Sequence, residues 1–344
     1  MRKISYAEAI NETLYQEMRS DPTVFVYGLG APDHKRVFGT TDKVTNEFPD
    51  RVLDMPLSED AMVGFGIGAA VNGLRPINIH IRVDFLLLAM NQLVNMASSY
   101  NYTGGGPVPL VIRAIVGRGW GQGCHHSKSL HSYFTHIPGL TVIAPTTPVT
   151  VKGLLTTAIR GNNPVICLEH RWLYWAEAAV PEIPYTLPFG EACTLRTGND
   201  LTVVGVSWMA IEALKAAEVL KRHHDVNIEV IDPSTLYPLD GWEIMKSVMR
   251  TRYCIVADND WVPSGYSAEL AAVIYETCFG YLRKPIERIG WKHTPCPTAR
   301  HMENEFYCNA VDIIRAAERM LSLPTADLSG EDFYSHERKF KGPF

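Results

Sequence analysis

The segment DMPLSEDAMVGFGIGAA, residues 54–70, decides how the first half of the chain folds. Two neighbouring carboxylates, Glu59 and Asp60, precede a run of glycine, alanine and apolar residues that predicts a helix starting near Glu59. Glycines on such a helix have no side chain to hold neighbours away, so another backbone or a ring can approach closely. One interpretation of the acids is local: Ser58 caps the helix, and Glu59 and Asp60 complement its dipole.

Strands and helices alternate on both sides of this segment. Apolar runs predict strands at 23–28, 76–81, 108–116 and 164–168, and helices at 5–19, 84–96 and from a turn at 144–148 through 160. After a proline-rich stretch the alternation resumes, with strands at 201–206, 228–231, 253–257 and 286–289 and helices at 209–222, 240–249, 264–279 and 308–321. This pattern predicts an α/β protein of two domains, each a mostly parallel sheet flanked by helices. We place the domains at 1–178 and 191–325, a linker at 179–190 and a tail at 326–344.

Composition excludes several classes of protein. The 344 residues are 46% apolar and 20% charged, as in a globular protein of two domains of ordinary size. The net charge of −5, without any block of like charges, argues against nucleic acid and anionic membranes as partners. The start of the chain has no apolar signal-peptide core, and no apolar run reaches membrane-spanning length, so we expect a cytoplasmic protein. Seven cysteines stand singly without CxxC spacing, which predicts reduced thiols.

The opening segment also resembles a known family. Residues 54–76 are similar to the β subunits of the thiamine-diphosphate-dependent first enzymes of 2-oxo acid dehydrogenase complexes. Their P-[IL]-[ST]-E segment corresponds to Pro56-Leu57-Ser58-Glu59, and their G-L-R-P to residues 73–76. The resemblance implies that Glu59 is the catalytic glutamate, which hydrogen-bonds a ring nitrogen of the cofactor's aminopyrimidine, and that Leu57 lies beside the cofactor. Such a role needs a charged acceptor in an apolar cleft, where one hydrogen bond is strong.

The second half of the chain carries the same resemblance. Residues 232–240 (DPSTLYPLD) and 265–270 (GYSAEL) are similar to the I-D-x-x-[ST]-L-x-P-L-D and G-x-x-[AG]-E segments of the family's carboxyl-terminal domain. The resemblance therefore covers nearly the whole chain. It implies a transketolase pyrimidine-binding domain followed by a transketolase carboxyl-terminal domain.

A glycine-rich loop at residues 117–129 delivers two adjacent histidines, His125 and His126. Histidines also recur at 131 and 136, but a spacing of five points side chains in different directions on a helix or a strand, which argues against a metal site. The loop resembles the family's H-S-Q-S and Y-F-x-H-x-P-G-L run. This resemblance implies that His126 binds substrate and moves or stabilises protons, with His125 a neighbour and Lys128 in place of the usual glutamine.

Other positions acquire expected roles from the same resemblance. Phe85 matches an aromatic position near the cofactor's pyrimidine, although burial in the core would also explain it. Some family members hold a potassium ion with four backbone carbonyls, which correspond here to Ala158, Ile159, Gly161 and Asn163. The chain lacks the G-D-G segment with which thiamine enzymes bind magnesium at the diphosphate. The resemblance therefore implies an α subunit that supplies this site within an α2β2 heterotetramer.

The sequence departs from the family at several positions. Leu29 and Ile79 stand where acidic residues are usual, and Arg82 and Lys128 are also unusual. These changes favour a polar or anionic substrate. The resemblance therefore supports thiamine diphosphate as the cofactor more strongly than it supports lipoamide as the acyl acceptor.

The resemblance and these departures leave three candidate functions. The first is a β subunit that decarboxylates a 2-oxo acid and transfers the acyl group to the lipoyl-lysine of a lipoyl acyltransferase. The second is a split transketolase or acyloin-forming carboligase without a lipoyl partner. The third is a non-catalytic subunit that stabilises the α chain.

Overall fold

The fold rests on two sheets and the helices that cover them. The structure, a computed structural model, describes residues 2–33, 35–118, 121–239 and 241–333. Gly119 and Trp120 of the glycine-rich loop, Asp240 at the predicted start of a helix, and the tail from residue 334 lie outside the described residues.

The described residues form strands β1 Arg2–Ser5, β2 Val24–Gly28, β3 Val52–Asp54, β4 Arg75–His80, β5 Val111–Val116, β6 Thr141–Ile143, β7 Val165–His170, β8 Glu177–Val180, β9 Cys193–Arg196, β10 Leu201–Gly205, β11 Ile228–Asp232, β12 Thr235–Tyr237, β13 Cys254–Trp261 and β14 Glu287–Trp291. They form α-helices α1 Tyr6–Ser20, α2 Asp42–Glu47, α3 Glu59–Val71, α4 Val83–Leu86, α5 Ser98–Tyr100, α6 His131–Thr135, α7 Pro148–Arg160, α8 Trp208–His224, α9 Trp242–Thr251, α10 Tyr266–Cys278, α11 Arg300–Phe306 and α12 Ala310–Leu321.

The first sheet has seven strands in the order β12-β6-β7-β5-β4-β2-β3. All its pairings are parallel except that of β12 with β6. Alternate side chains of β5 enter different cores: Val111 and Ile115 belong to one hydrophobic cluster, Ile112 and Ala114 to another. Both faces of this sheet are therefore covered, as a parallel sheet requires.

The second sheet has five strands in the order β14-β13-β10-β11-β9, with β9 antiparallel and the others parallel. Helices α8 and α12 pack on it through a cluster that includes Ala213, Leu220 and Ile313. Two mostly parallel sheets flanked by helices confirm the predicted fold class. No helix within the described ranges is both long and apolar enough to cross a bilayer.

The two halves of the chain are joined through one sheet and one hydrophobic core. Strand β12 comes from the second half but extends the first sheet, pairing Thr235 with Ile143 and Tyr237 with Val142. One hydrophobic cluster also contains Val63 of α3 together with Val204 and Tyr266 of the second half. In the predicted linker, Ala179 and Val180 belong to β8, which pairs with β1.

One predicted helix is wrong in form. Residues 84–96 do not make a continuous α-helix: α4 is followed by a 3₁₀ turn at Leu87–Ala89 and a π-helix at Gln92–Ala97. Apolar periodicity cannot separate these forms, because all of them bring residues three to five apart onto one face.

Candidate active site

A cavity of about 500 Å³ opens at the carboxyl ends of β2, β3, β4 and β5. Open α/β sheets bind ligands at this edge, because the loops there can diverge around a crevice. The lining is largely apolar with a few convergent polar groups, as expected for a small-molecule site. Its residues are Leu29, Leu57, Glu59, Met62, Ile79, His80, Ile81, Arg82, Phe85, Gln122 and His126.

The four predicted catalytic and cofactor-binding residues meet in this cavity. Leu57 and Glu59 follow β3, Phe85 follows β4, and His126 lies in the glycine-rich loop after β5. Since neighbouring parallel strands end at one edge, segments separated by up to about 70 residues are brought together there.

Glu59 is a buried carboxylate without a partner among the described residues. It is the first residue of α3, its side chain is 8% exposed, and it forms no hydrogen bond or ion pair within the described ranges. Ser58 occupies the N-cap position, but its side chain caps no backbone N–H. Asp60 is exposed and accepts a hydrogen bond from Gln92 at 3.3 Å. A buried acceptor left open toward an apolar cavity fits the ring nitrogen of an aminopyrimidine.

His126 faces the same cavity, with its ring perpendicular to that of Phe85 and the ring centroids 5.3 Å apart. Burial, followed by the charges of Arg82 and Arg171, lowers the pKa of His126 below its usual range. The imidazole is therefore neutral at pH 7 and offers one N–H donor. His125 is exposed and lines a separate cavity of about 470 Å³ with Trp261 and Trp291.

The other two histidines of the five-residue series lie elsewhere. The Nδ1 of His131 is 2.9 Å from a carboxylate oxygen of Asp258, buried between the two halves of the chain. His136 lines a further cavity near Tyr266. Within the described part of the chain, no group of three or more His, Cys, Asp or Glu side chains could hold a metal ion.

Two residues beside the cavity escaped sequence reasoning, Arg171 and Gln122. The guanidinium of Arg171 donates to the Gln122 side chain and, at 3.2 Å, to the backbone carbonyl of His126. Arg171 directly follows β7, the neighbour of β5. Its position after a buried strand was the available signal.

Two of the four predicted potassium ligands bind a guanidinium instead. Nη1 of Arg75 donates to the carbonyls of Ile159 at 3.0 Å and Gly161 at 2.6 Å. The carbonyl of Ala158 accepts the backbone N–H of Gly161. A potassium ion at these carbonyls would have to displace Arg75, so these donors do not fit the ion as they stand, and potassium binding stays a prediction.

Comparison with known proteins identifies the class of fold. Residues 2–175 match the family described as "Transketolase, pyrimidine binding domain", and residues 190–313 match "Transketolase, C-terminal domain". In solved structures, a split-gene transketolase described as an inactive β4 tetramer superimposes with a TM-score of 0.73, covering 94% of this chain and 99% of its own, at 21% identity. That likeness shows the shared fold.

Curated relatives narrow the family. The β subunit of acetoin:2,6-dichlorophenolindophenol oxidoreductase from Cupriavidus necator is 40% identical, over 93% of this chain and 98% of its own length. The pyruvate dehydrogenase E1 component β subunit is 38% identical in Chaetosphaeridium globosum, over 94% and 100% of the two chains. In Rickettsia felis it is 35% identical, over 92% and 98%. The chain belongs to the transketolase-type β-subunit family of the pyruvate and acetoin dehydrogenases.

Proposed function

We propose that the chain is the β subunit of a two-subunit thiamine-diphosphate enzyme that oxidatively decarboxylates a 2-oxo acid and transfers the acyl group to lipoyl-lysine. One observation carries the proposal: the unpartnered, buried carboxylate of Glu59 lies in one cavity with Phe85 and His126. The names of two relatives, pyruvate dehydrogenase E1 component β subunits, support this chemistry, because pyruvate is a 2-oxo acid.

The residues of the cavity divide the work. When bound, thiamine diphosphate supplies a nucleophilic carbon that adds to the 2-oxo group and accommodates the electrons left by carbon dioxide. Glu59 would accept a hydrogen bond from the aminopyrimidine, and the apolar side chains of Leu57 and Phe85, once covered by the cofactor and a partner subunit, would exclude water from that hydrogen bond. His126, neutral at pH 7, donates its N–H to the substrate oxygen on which charge develops.

An α subunit completes the site in this proposal. Large apolar side chains are exposed at the cavity, on α3 and on the 3₁₀ turn that contacts α3: Leu57 is 75% exposed, Phe65 44% and Leu88 63%. Apolar surface of this kind marks protein interfaces. The α subunit would also hold magnesium and the diphosphate, since the chain has no G-D-G segment. We propose an α2β2 heterotetramer that works with a lipoyl acyltransferase. The domain limits given above and a cytoplasmic location remain predictions.

A second candidate is a split transketolase or acyloin-forming carboligase. It is favoured by Leu29, Ile79 and Arg82, which give the cavity an apolar and cationic lining. With the α/β complex, acylation of a lipoyl domain supports the first candidate, and acyloin or sugar products without such acylation support the second. The third candidate, a non-catalytic stabilising subunit, requires that Glu59 have no part in cofactor chemistry.

Glu59→Gln in the co-purified α/β complex tests the assignment. Glutamine keeps the volume and loses the charge, so we expect hydrogen–deuterium exchange at the thiazolium carbon to slow by about 10²-fold or more, measured by quench-flow NMR without substrate. Asp60→Asn is the matched control, because Asp60 is the exposed acid of the same helical turn, and it should exchange near the wild-type rate. Wild-type exchange in Glu59→Gln, or an equal loss in Asp60→Asn, contradicts the proposal.

A further inference from the structure

Arg82 brings a buried positive charge into the cavity. Its side chain is 4% exposed, and it forms no ion pair within the described ranges, although the carboxylate of Glu59 lines the same cavity. Its Nη1 donates to the backbone carbonyl of Ile81, while its Nε is buried without a hydrogen-bond partner. The nearby acid Asp84 forms an ion pair with Lys128 instead, with 2.6 Å between Lys128 Nζ and Asp84 Oδ1.

A second buried guanidinium lies near Arg82. Arg171 is 1% exposed, and its Nε is also buried without a partner. Burial lowers the pKa of Arg82 to about 10, and burial together with the charge of Arg82 lowers the pKa of Arg171 to about 9. A buried cation without a counter-ion is destabilising, so pairing with an anion that enters the cavity is favourable.

The anion that suits this position is one that stays in the product. A guanidinium that holds the departing carboxylate of a 2-oxo acid would stabilise the ground state and slow its loss as carbon dioxide. A carboxylate or phosphate elsewhere on the substrate is held equally before and after decarboxylation, and it satisfies the forked donors of arginine. The remaining lining, including Leu29, Met62 and Ile79, offers such a group no other charge of opposite sign.

We propose that Arg82 selects substrates that carry a second anionic group, a carboxylate or a phosphate-type group, in addition to their 2-oxo acid function. This inference rests on the proposed function. It makes Arg82 a specificity-determining residue that touches the substrate away from the reacting carbon.

The test compares matched substrates on the α/β complex loaded with thiamine diphosphate and magnesium. Carbon dioxide release gives kcat/KM for 2-oxoglutarate against 2-oxovalerate, which differ by a terminal carboxylate, and for phosphonopyruvate against 2-oxobutyrate. We expect the wild type to prefer the charged member of at least one pair, and the pair that responds identifies the anionic group. Arg82→Met should reduce that preference about 10- to 100-fold, the worth of a charge-assisted hydrogen bond, with Arg82→Lys intermediate. Arg283→Met, at an exposed arginine, is the control and should keep the wild-type preference.

A binding measurement keeps the result independent of turnover. Glutarate or phosphate should raise the melting temperature of the complex relative to glutaramide at matched ionic strength, and Arg82→Met should abolish the rise. A wild type that prefers the neutral substrates, or an Arg82→Met variant that slows both members of a pair equally, overturns the inference. So does an Arg82→Met variant that dissociates the complex without any anion effect, because a carboxylate of the α subunit would then be the counter-ion. Thiazolium exchange without substrate separates the two proposals: if the wild type exchanges but shows no charge preference, only the Arg82 inference fails.

Discussion

His126 and its neighbour His125 have different surroundings, and we assign a catalytic role only to His126. His125 and His126 are adjacent, but only His126 lines the cavity of Glu59, whereas His125 is exposed toward a different cavity. Burial and two arginines keep His126 neutral at pH 7. A neutral ring beside Phe85 can donate to an oxygen that gains charge without adding a full positive charge of its own.

His126→Ala should therefore lower kcat by about 10² to 10³, the effect of removing one oriented donor. Thiazolium exchange without substrate should decrease far less, because we assign that step to Glu59. Pre-steady-state mixing of the α/β complex with substrate separates the two stages. His125→Ala is the matched control. Equal defects in both variants, or a defect in His125→Ala alone, would contradict the assignment of this role to His126.

The sequence could predict which residues meet in the cavity where a short segment carries them. Glu59 and Leu57 lie within four consecutive residues of one motif, and His126 precedes a recognisable Ser-x-Ser. The contact between Arg171 and Gln122 was missed because it depends on which strands are neighbours in the sheet. The local periodicity of a sequence does not reveal strand order. The sequence marked Arg82 as unusual, but its burial without an ion pair to any described residue appears only in three dimensions.

At the scale of elements, helix α3 packs against β2 through Gly66. A Cβ at Gly66 would lie 2.0 Å from the hydroxyl oxygen of Tyr27, which itself donates to the carbonyl of Met62 at 3.0 Å. Gly68, half a turn further on, has no atom within 4 Å of such a Cβ. The sequence predicted close approach along this helix, and the structure locates it at one glycine.

Gly66→Ala should destabilise the protein by about 1–3 kcal/mol, since the added methyl group must displace a buried phenol. Gly68→Ala should be neutral or stabilise by about 0.5–1 kcal/mol, because alanine favours the helix. Urea unfolding of the two variants gives both values. Equal effects would mean that helix propensity, rather than contact with Tyr27, decides the outcome.

At the scale of the whole molecule, the buried pair of His131 and Asp258 joins the two halves of the chain. Asp260 adds a second link by accepting the backbone N–H of His131 at 3.0 Å. Burial alone would lower the pKa of His131, but the carboxylates of Asp258 and Asp260 outweigh it, so the pKa is raised. The folded protein therefore holds this proton more tightly than the unfolded chain.

This difference predicts a loss of stability on the alkaline side. The contribution of protonated His131 is complete below the ordinary histidine pKa of about 6.5, and it disappears as the pH rises through the higher folded-state pKa. Asp260, with a pKa raised to about 6 mainly by burial, titrates below this window and is largely ionised throughout it. The stability advantage of wild type over His131→Asn should shrink between pH 6.5 and 9, measured by urea unfolding. His125→Asn should show a constant difference from wild type, and a constant difference for His131→Asn would contradict the role.

Strand β12 has a consequence for any attempt to divide the protein. A fragment that ended at the proline-rich stretch would keep most of the first sheet but lose Thr235–Tyr237, so β6 would become an open edge. Unpaired backbone N–H and C=O groups on an exposed edge recruit other chains. Truncating the chain at that point should therefore yield a fragment that self-associates rather than a soluble, monomeric domain. The two halves should therefore be expressed and engineered together.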